Sequence, residues 1–484
     1  MTDIKQQISN SARWTFITEL TSKVVTPLAN IVLVRILAPE AFGILATILM
    51  VISFADILTD AGFQKYIIQK EFNDQEEYNK NFLVAFWTNI FLSFGIWSII
   101  FLFRDSLAYI VGNPSLGYVL AIAGVVIPIN AFSSIQLAVM KRDFSFKKIF
   151  FLRLISIFVP ITVTLPLAIL GYEYWSLVIG HIIAQLLLAI SVFILSTNKI
   201  YFFYNQKILC EMLPFSGWTL IESIAIWLTN WIDIFIVSSF FSAYYLGIYR
   251  MSMVSVNSLL GLIVGAVTPV LYSSLSRLQN QNDEFIFMFH FFLKRTALIV
   301  IPLGTGIFFY RDLARTILFG ENWSEADLMI GLWGFTNCLA IIYCHFCSEL
   351  YRAKGAPKIS LIAQFLHMIF LVPTIYIFSN SFENLVIARN VIRIQFIIVH
   401  LGILNYIYKI KPITILNETK NYILASFLMG GFIYYTRILF NSFLYDIFSV
   451  LIASVLYFKI LSCIKIEKNE LDHIIRSKSI YGFK

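Results

Sequence analysis

Three cations sit inside long hydrophobic stretches of this chain: Lys23, Arg389 and Arg393. An unpaired charge at the centre of a membrane-spanning helix costs about 2.5–3.5 kcal/mol on insertion scales, so each of them calls for water, a carboxylate or a ligand. Arg389 and Arg393 are one helical turn apart and His400 follows on the same face. Like charges on adjacent turns repel. Such a pair asks for an anion between its members, and guanidinium suits phosphate through bidentate hydrogen bonds. Phosphate or carbohydrate contact competes here with internal salt bridges. Lys23 has Glu19 one turn away, so an internal ion pair competes with exposure in a substrate cavity.

The acidic candidates are Glu19, Asp56, Asp60, Glu222 and Asp233. Ser53, Asp56 and Asp60 share a face near one end of the second apolar stretch, as do Glu222, Asn230 and Asp233 in the seventh. A buried carboxylate can take up a proton or coordinate sodium, which suits ion coupling; the plainer reading is a brace between helices. Ser11, Thr15, Glu19, Ser22, Lys23, Thr26 and Asn30 line one face of the first stretch, and that face cannot look at lipid. Cys338, Cys344 and Cys347 read as small reduced core residues rather than a metal or redox site. His181, His290, His345, His367 and His400 are scattered singly. The chain has no phosphate-binding Walker loop, dinucleotide glycine fingerprint, H-E-x-x-H or G-x-S-x-G. No metal, cofactor or catalytic group is therefore expected beyond proton or sodium coupling.

The elements that position these residues follow from composition. Of 484 residues, 59% are hydrophobic and 13% charged, with a mean hydropathy of +0.79; soluble domains are about 25% charged. The chain reads as an all-α membrane protein, since helices satisfy their own backbone hydrogen bonds in lipid and the stretches lack barrel-strand alternation. About fourteen spans are expected. They lie near 12 to 36, 41 to 63, 81 to 103, 116 to 138, 149 to 170, 174 to 195 and 213 to 238, then 249 to 271, 296 to 310, 328 to 348, 359 to 378, 383 to 405, 421 to 440 and 443 to 464. The stretch from 296 is short and is expected to extend back through Lys294 and Arg295.

The first ten residues are polar and the first stretch is too long for a signal-peptide core, so no cleavable leader is expected. With the amino terminus inside, about 27 of the 36 Lys and Arg fall on the cytoplasmic side. That distribution accounts for the formal net charge of +8 and leaves no reason to invoke nucleic acid. Both termini are expected to be cytoplasmic. The longest connections, near 272 to 295 and from 465 onward, are too short for a separate catalytic domain.

An offset of 204 residues superposes Trp14, Thr15 and Ile17 on Trp218, Thr219 and Ile221, and Gly43 and Ile44 on Gly247 and Ile248. This suggests duplication of a six-helix unit, two pseudo-equivalent bundles plus two C-terminal helices. The expected division is 1–207 for the N-terminal lobe, 208–408 for the C-terminal lobe, and 409–484 for helices 13 and 14 with a cytoplasmic tail.

Local wording adds a resemblance. Val34-Arg35-Ile36-Leu37 with Phe42-Gly43, Asp60-Ala61-Gly62-Phe63, and Met140 through Lys148 are similar to the pattern of polysaccharide-transport (Wzx-type) flippases. Phe215-Ser216-Gly217-Trp218, Asn230-Trp231-Ile232-Asp233, Leu246-Gly247-Ile248-Tyr249, Pro269 through Leu278, Pro302-Leu303, and Phe319-Gly320 to Trp323 continue it in order. The resemblance implies the multidrug, oligosaccharidyl-lipid and polysaccharide exporter superfamily. It implies transfer of undecaprenyl-pyrophosphate-linked repeat units across a bacterial cytoplasmic membrane for O-antigen or capsule assembly, with lipid-linked oligosaccharide, membrane lipid and polysaccharide-assembly proteins as partners. A small-molecule antiporter of the related multidrug class and a membrane-embedded polymerase or acyltransferase are the competing readings. The helix-12 arginines belong to no shared wording and rest on charge and depth alone.

Overall fold

The computed structural model describes residues 2–463 apart from 197 and 441, with side chains from Arg13 onward except Phe16 and Leu20. Among the described residues there is no strand, and fourteen helices are long and apolar enough to cross a membrane. We number them α1 (Arg13–Ile36), α2 (Pro39–Asp60), α3 (Gln75–Leu102), α4 (Pro114–Arg142), α5 (Phe146–Ile169), α6 (Glu173–Leu195) and α7 (Gln206–Phe240). The series continues with α8 (Ala243–Arg277), α9 (Asn282–Phe309), α10 (Ala326–Ala353), α11 (Pro357–Ile377), α12 (Phe382–Tyr408), α13 (Pro412–Leu439) and α14 (Phe443–Cys463).

Local chemistry sets the helix ends. Asp74 caps α3 by accepting from the Glu77 amide at 2.6 Å, and Ser381 caps α12 through the Asn384 amide at 3.2 Å. Pro39, Pro357 and Pro412 open α2, α11 and α13 at a position where their missing N–H is no loss. At the far end of α2 the backbone turns through left-handed Ala61 and Gly62 into the short helix Phe63–Gln69. A π-helical turn interrupts α5 at Pro160–Thr164 and α10 at Ile341–His345. The expected extension of the ninth span is realised, because α9 begins at Asn282 and takes in Lys294 and Arg295. The connection expected near 272 to 295 is mostly helix: α8 runs on to Arg277, leaving four residues before α9. The tail expected beyond 464 lies outside the described residues.

By internal contacts the chain forms two compact units, residues 1–251 and 252–484. The expected 207/208 division follows the sequence repeat, whereas these units follow packing and divide within α8. In the first unit α2 packs against α3, α4, α6 and α7, and α1 packs against α5. Phe63, Ile67, Phe82, Phe86 and Ile135 form an apolar core there, none more than 1% exposed. The first unit also holds a close crossing of α2 with the start of α8. A Cβ built on Gly43 would lie 1.8 Å from the Ala243 carbonyl oxygen, and one on Gly247 would lie 1.8 Å from that of Pro39. Pro39 and Ala243 are related by the same 204-residue offset as the two glycines, so the contact is reciprocal, as repeated elements meeting about a local two-fold would make it.

In the second unit α9 packs on α10 and α13, α11 on α12, and α13 on α14. Arg437 of α13 ties the last two helices down. It bonds Asp446 of α14 at 2.9 Å, the Phe309 carbonyl at 2.6 Å, and Asp312 of the short helix Arg311–Leu318.

Candidate functional site

The helix-12 arginines meet on one aromatic ring. Arg389 lies 7 and Arg393 lies 11 residues into α12, roughly 10 and 16 Å along the axis at 1.5 Å per residue. The guanidinium carbon of Arg393 stands 3.5 Å from the ring centroid of Trp333 on α10, and that of Arg389 stands 5.0 Å from it. Trp333 is 2% exposed. An indole face carries negative quadrupole density, so one ring attracts both cations and offsets part of their mutual repulsion.

Amides fix this assembly. The indole Nε1 donates to Asn257 Oδ1 of α8 at 2.9 Å, and Asn337 Nδ2, one turn below Trp333, donates to the same oxygen at 2.8 Å. Asn337 Oδ1 in turn accepts from Arg393 at 3.2 Å. On the neighbouring turn Thr336 donates to Asn390 at 2.8 Å. Two guanidinium groups thus share one platform inside spanning helices, Arg389 buried at 7% exposure and Arg393 partly buried. His400 does not join it. It is fully buried against Tyr351 and Phe396, as a packed core residue.

Lys23 belongs to the first unit and is partly buried in α1. Among the described residues it has no ion-pair or hydrogen-bond partner. Glu19, which sequence spacing offered as its counter-ion, instead faces Arg153 of α5 at 3.5 Å, both side chains about half exposed. Helix spacing finds neighbours on one helix and cannot see a competitor on another.

The remaining acids divide. Asp233 is buried and accepts from Tyr249 Oη at 2.9 Å, joining α7 to α8, while Arg250 lies over Trp231 at 4.9 Å. Glu222 forms a 2.8 Å ion pair with Lys65, each about half exposed. Asp56 and Asp60 line a polar chamber of about 240 Å³ among α2, α3, α4 and α6, together with Asn89, Asn130, Ser134 and Gln185. Sequence reasoning missed Trp333, Asn257, Asn337, Asn89 and Asn130. A lone Trp or Asn in an apolar span carries no periodic signal, although Trp333 and Asn337 at i and i+4 on α10 match the spacing of the arginines they meet.

Comparison with known proteins agrees with this architecture. The chain is 22% identical over 301 residues to the succinoglycan biosynthesis transport protein ExoT of Rhizobium meliloti (strain 1021), covering 62% of this chain and 60% of ExoT. It is 23% identical over 435 residues to the lipopolysaccharide biosynthesis protein WzxC of Escherichia coli (strain K12), covering 88% of this chain and 85% of WzxC. Among solved structures, the lipid II flippase MurJ in an inward closed conformation superposes with a TM-score of 0.75 at 16% identity, over 94% of this chain and 98% of that one. An inward-facing MATE multidrug transporter of the MOP superfamily gives 0.59 at 13%, over 80% and 96%. The fold is that of the MurJ and MATE transporters. Residues 32–327, well over half of the chain, match the family described as Polysaccharide biosynthesis protein, and the chain belongs to that family.

Proposed function

We propose that this protein is a flippase for lipid-linked oligosaccharide repeat units in the bacterial cytoplasmic membrane, with both termini cytoplasmic, working by alternating access and driven by an ion gradient. The observation that carries the proposal is the placement of the Arg389 and Arg393 guanidinium groups on Trp333 within spanning helices. A pyrophosphate-linked glycan brings its own compact charge into the bilayer, and a pre-placed pair of guanidinium groups replaces the hydration lost there. The names of ExoT, WzxC and MurJ support a polysaccharide or lipid cargo over a small drug.

The test is export in cells lacking the native gene. Arg389→Gln/Arg393→Gln should abolish polymer display at normal membrane abundance, with lipid-linked repeat units accumulating unexported. Unchanged display would return the chain to the small-molecule antiporter reading. Covalent change of the lipid-linked sugar by purified protein would favour a membrane enzyme.

A further inference from the structure

The arginine platform leaves unused the polar chamber of the first unit, and hydrogen bonding there has a direction. Ser134 Oγ donates its only proton to the Ala131 carbonyl at 3.2 Å. Its 2.7 Å contact with Asn89 is therefore one in which the amide nitrogen donates to it. That fixes the Asn89 side chain with Oδ1 turned the other way. Asn89 is 1% exposed, and among the described residues its Oδ1 is buried without a hydrogen-bond partner.

One turn earlier on α4, Asn130 Nδ2 donates to Asp56 Oδ2 at 2.9 Å, while Asp56 Oδ1 is likewise buried without a partner. Both oxygens belong to residues lining the same chamber of about 240 Å³. Leaving a buried acceptor unsatisfied costs about 1–3 kcal/mol, and more for a charged one. Two such acceptors in one chamber, one of them a carboxylate, give its lining a pair of buried oxygens with unused capacity inside spanning helices.

We propose that this chamber is a sodium site, with Asp56 Oδ1 and Asn89 Oδ1 as ligands and water completing the shell. Hard cations take carboxylate, amide and water oxygens, and the chamber has room for an ion with several waters. Only one of the two oxygens left without a partner belongs to a carboxylate, which suits a monovalent ion. Asp56 offers a carboxylate oxygen without a partner, whereas Asp60 already accepts from the Gln64 amide at 3.3 Å. Among the described residues no three His, Cys, Asp or Glu side chains converge as metal ligands. The ion would neutralise Asp56 and join α2 to α3, so its entry and release change the packing of the first unit. The inference rests on ion-driven flipping for its purpose but not for its detection, since binding is measured without transport.

Purified full-length protein is melted in detergent at one ionic strength with sodium, potassium or choline chloride at constant pH. Wild type should melt several degrees higher in 100 mM sodium than in potassium or choline. Asp56→Asn should lose that difference, and Asn89→Leu should shift its midpoint to at least tenfold more sodium. Should Asp56→Asn fail to fold, Asn89→Leu together with radioactive sodium binding to wild type provides the decision. Arg389→Gln should keep the full sodium effect, which separates the chamber from the head-group platform. Equal melting of wild type in the three salts, or a sodium shift surviving in Asn89→Leu and Asp56→Asn, would overturn the site. A melting point that follows pH and ignores sodium would also overturn it, making the chamber a proton site. If export still depends on Arg389 while sodium has no effect, only the chamber fails. If sodium binds and export ignores Arg389, only the flippase reading fails.

Discussion

Replacing Gly43 or Gly247 with alanine should separate α2 from the start of α8 by an amount the geometry sets. A Cβ at either position starts 1.8 Å from a carbonyl oxygen of the other helix, and the carbonyl carbons behind lie only 2.7 and 2.6 Å away. The obstacle is backbone and cannot rotate aside. Restoring a carbon–oxygen separation of about 3.3 Å requires the helices to part by roughly 1.5 Å. That movement loosens packing along the crossing and removes the close Cα–H contacts, so each single variant should lose about 1–3 kcal/mol. Because the two clashes occur at one crossing, opening it for the first methyl makes room for the second. The double variant should therefore lose less than the sum of the singles, by a coupling of about 0.5–2 kcal/mol. Unfolding of purified protein, followed by tryptophan fluorescence in increasing denaturing detergent, measures all three variants. Gly95→Ala serves as control, since nothing lies within 4 Å of its added methyl. Gly43→Ala and Gly247→Ala that unfold like Gly95→Ala would refute the reasoning, as would strictly additive losses in the double variant.

Four further outcomes follow from the geometry. Arg437→Met should destabilise the protein by about 3 kcal/mol, because Asp446, only 5% exposed, is left buried without its cation; melting of the purified variant measures it. Asp312, which lies between the spans, is partly desolvated, but its bond to Arg437 outweighs that and holds its acidity below the usual carboxylate range. Its contribution is therefore present above the unfolded-state value near pH 4 and is lost as pH falls through the lower folded value. Asp312→Asn should flatten the acid limb of a melting-versus-pH curve below about pH 4 without introducing any new dependence at pH 7. Trp333→Leu should reduce export more than Trp333→Phe, by about five- to tenfold, as the loss of roughly 1 kcal/mol of cation–π attraction over the pair of arginines implies; display measured against membrane abundance checks the order. Glu19→Gln should leave stability within about 0.5 kcal/mol, since its ion pair with Arg153 is half exposed.

Much of the architecture was legible because hydrophobic length is a strong signal in lipid. All fourteen spans lie where window hydropathy puts them, and the short ninth stretch extends through Lys294 and Arg295 as its length demanded. The 204-residue repeat was legible only as a few matched residues, yet Gly43 and Gly247 meet face to face. The π-helical turns at Pro160–Thr164 and Ile341–His345 were not foreseen. They depend on packing rather than on composition, since the second contains no proline.

The site was legible by half. Helical spacing correctly placed Arg389 and Arg393 together, because i and i+4 share a face in any helix. It offered Lys23 for Glu19 by the same rule, and a third helix supplied Arg153 instead. Trp333 and Asn337 stand 56 residues or more from the arginines they hold, and Asp56 meets Asn130 across 74 residues. Such pairings follow from which helices adjoin, and no window along the chain contains that information.

The central claim is that paired cations within the spanning helices carry an anionic head group. Its most direct measurement is transfer of a pyrophosphate-linked saccharide lipid between leaflets of vesicles containing purified protein, compared between wild type and Arg389→Gln/Arg393→Gln at equal incorporation. The account predicts transfer by wild type, competition by inorganic pyrophosphate, and loss of both in the double variant. Equal transfer by the two proteins, unaffected by pyrophosphate, would contradict it.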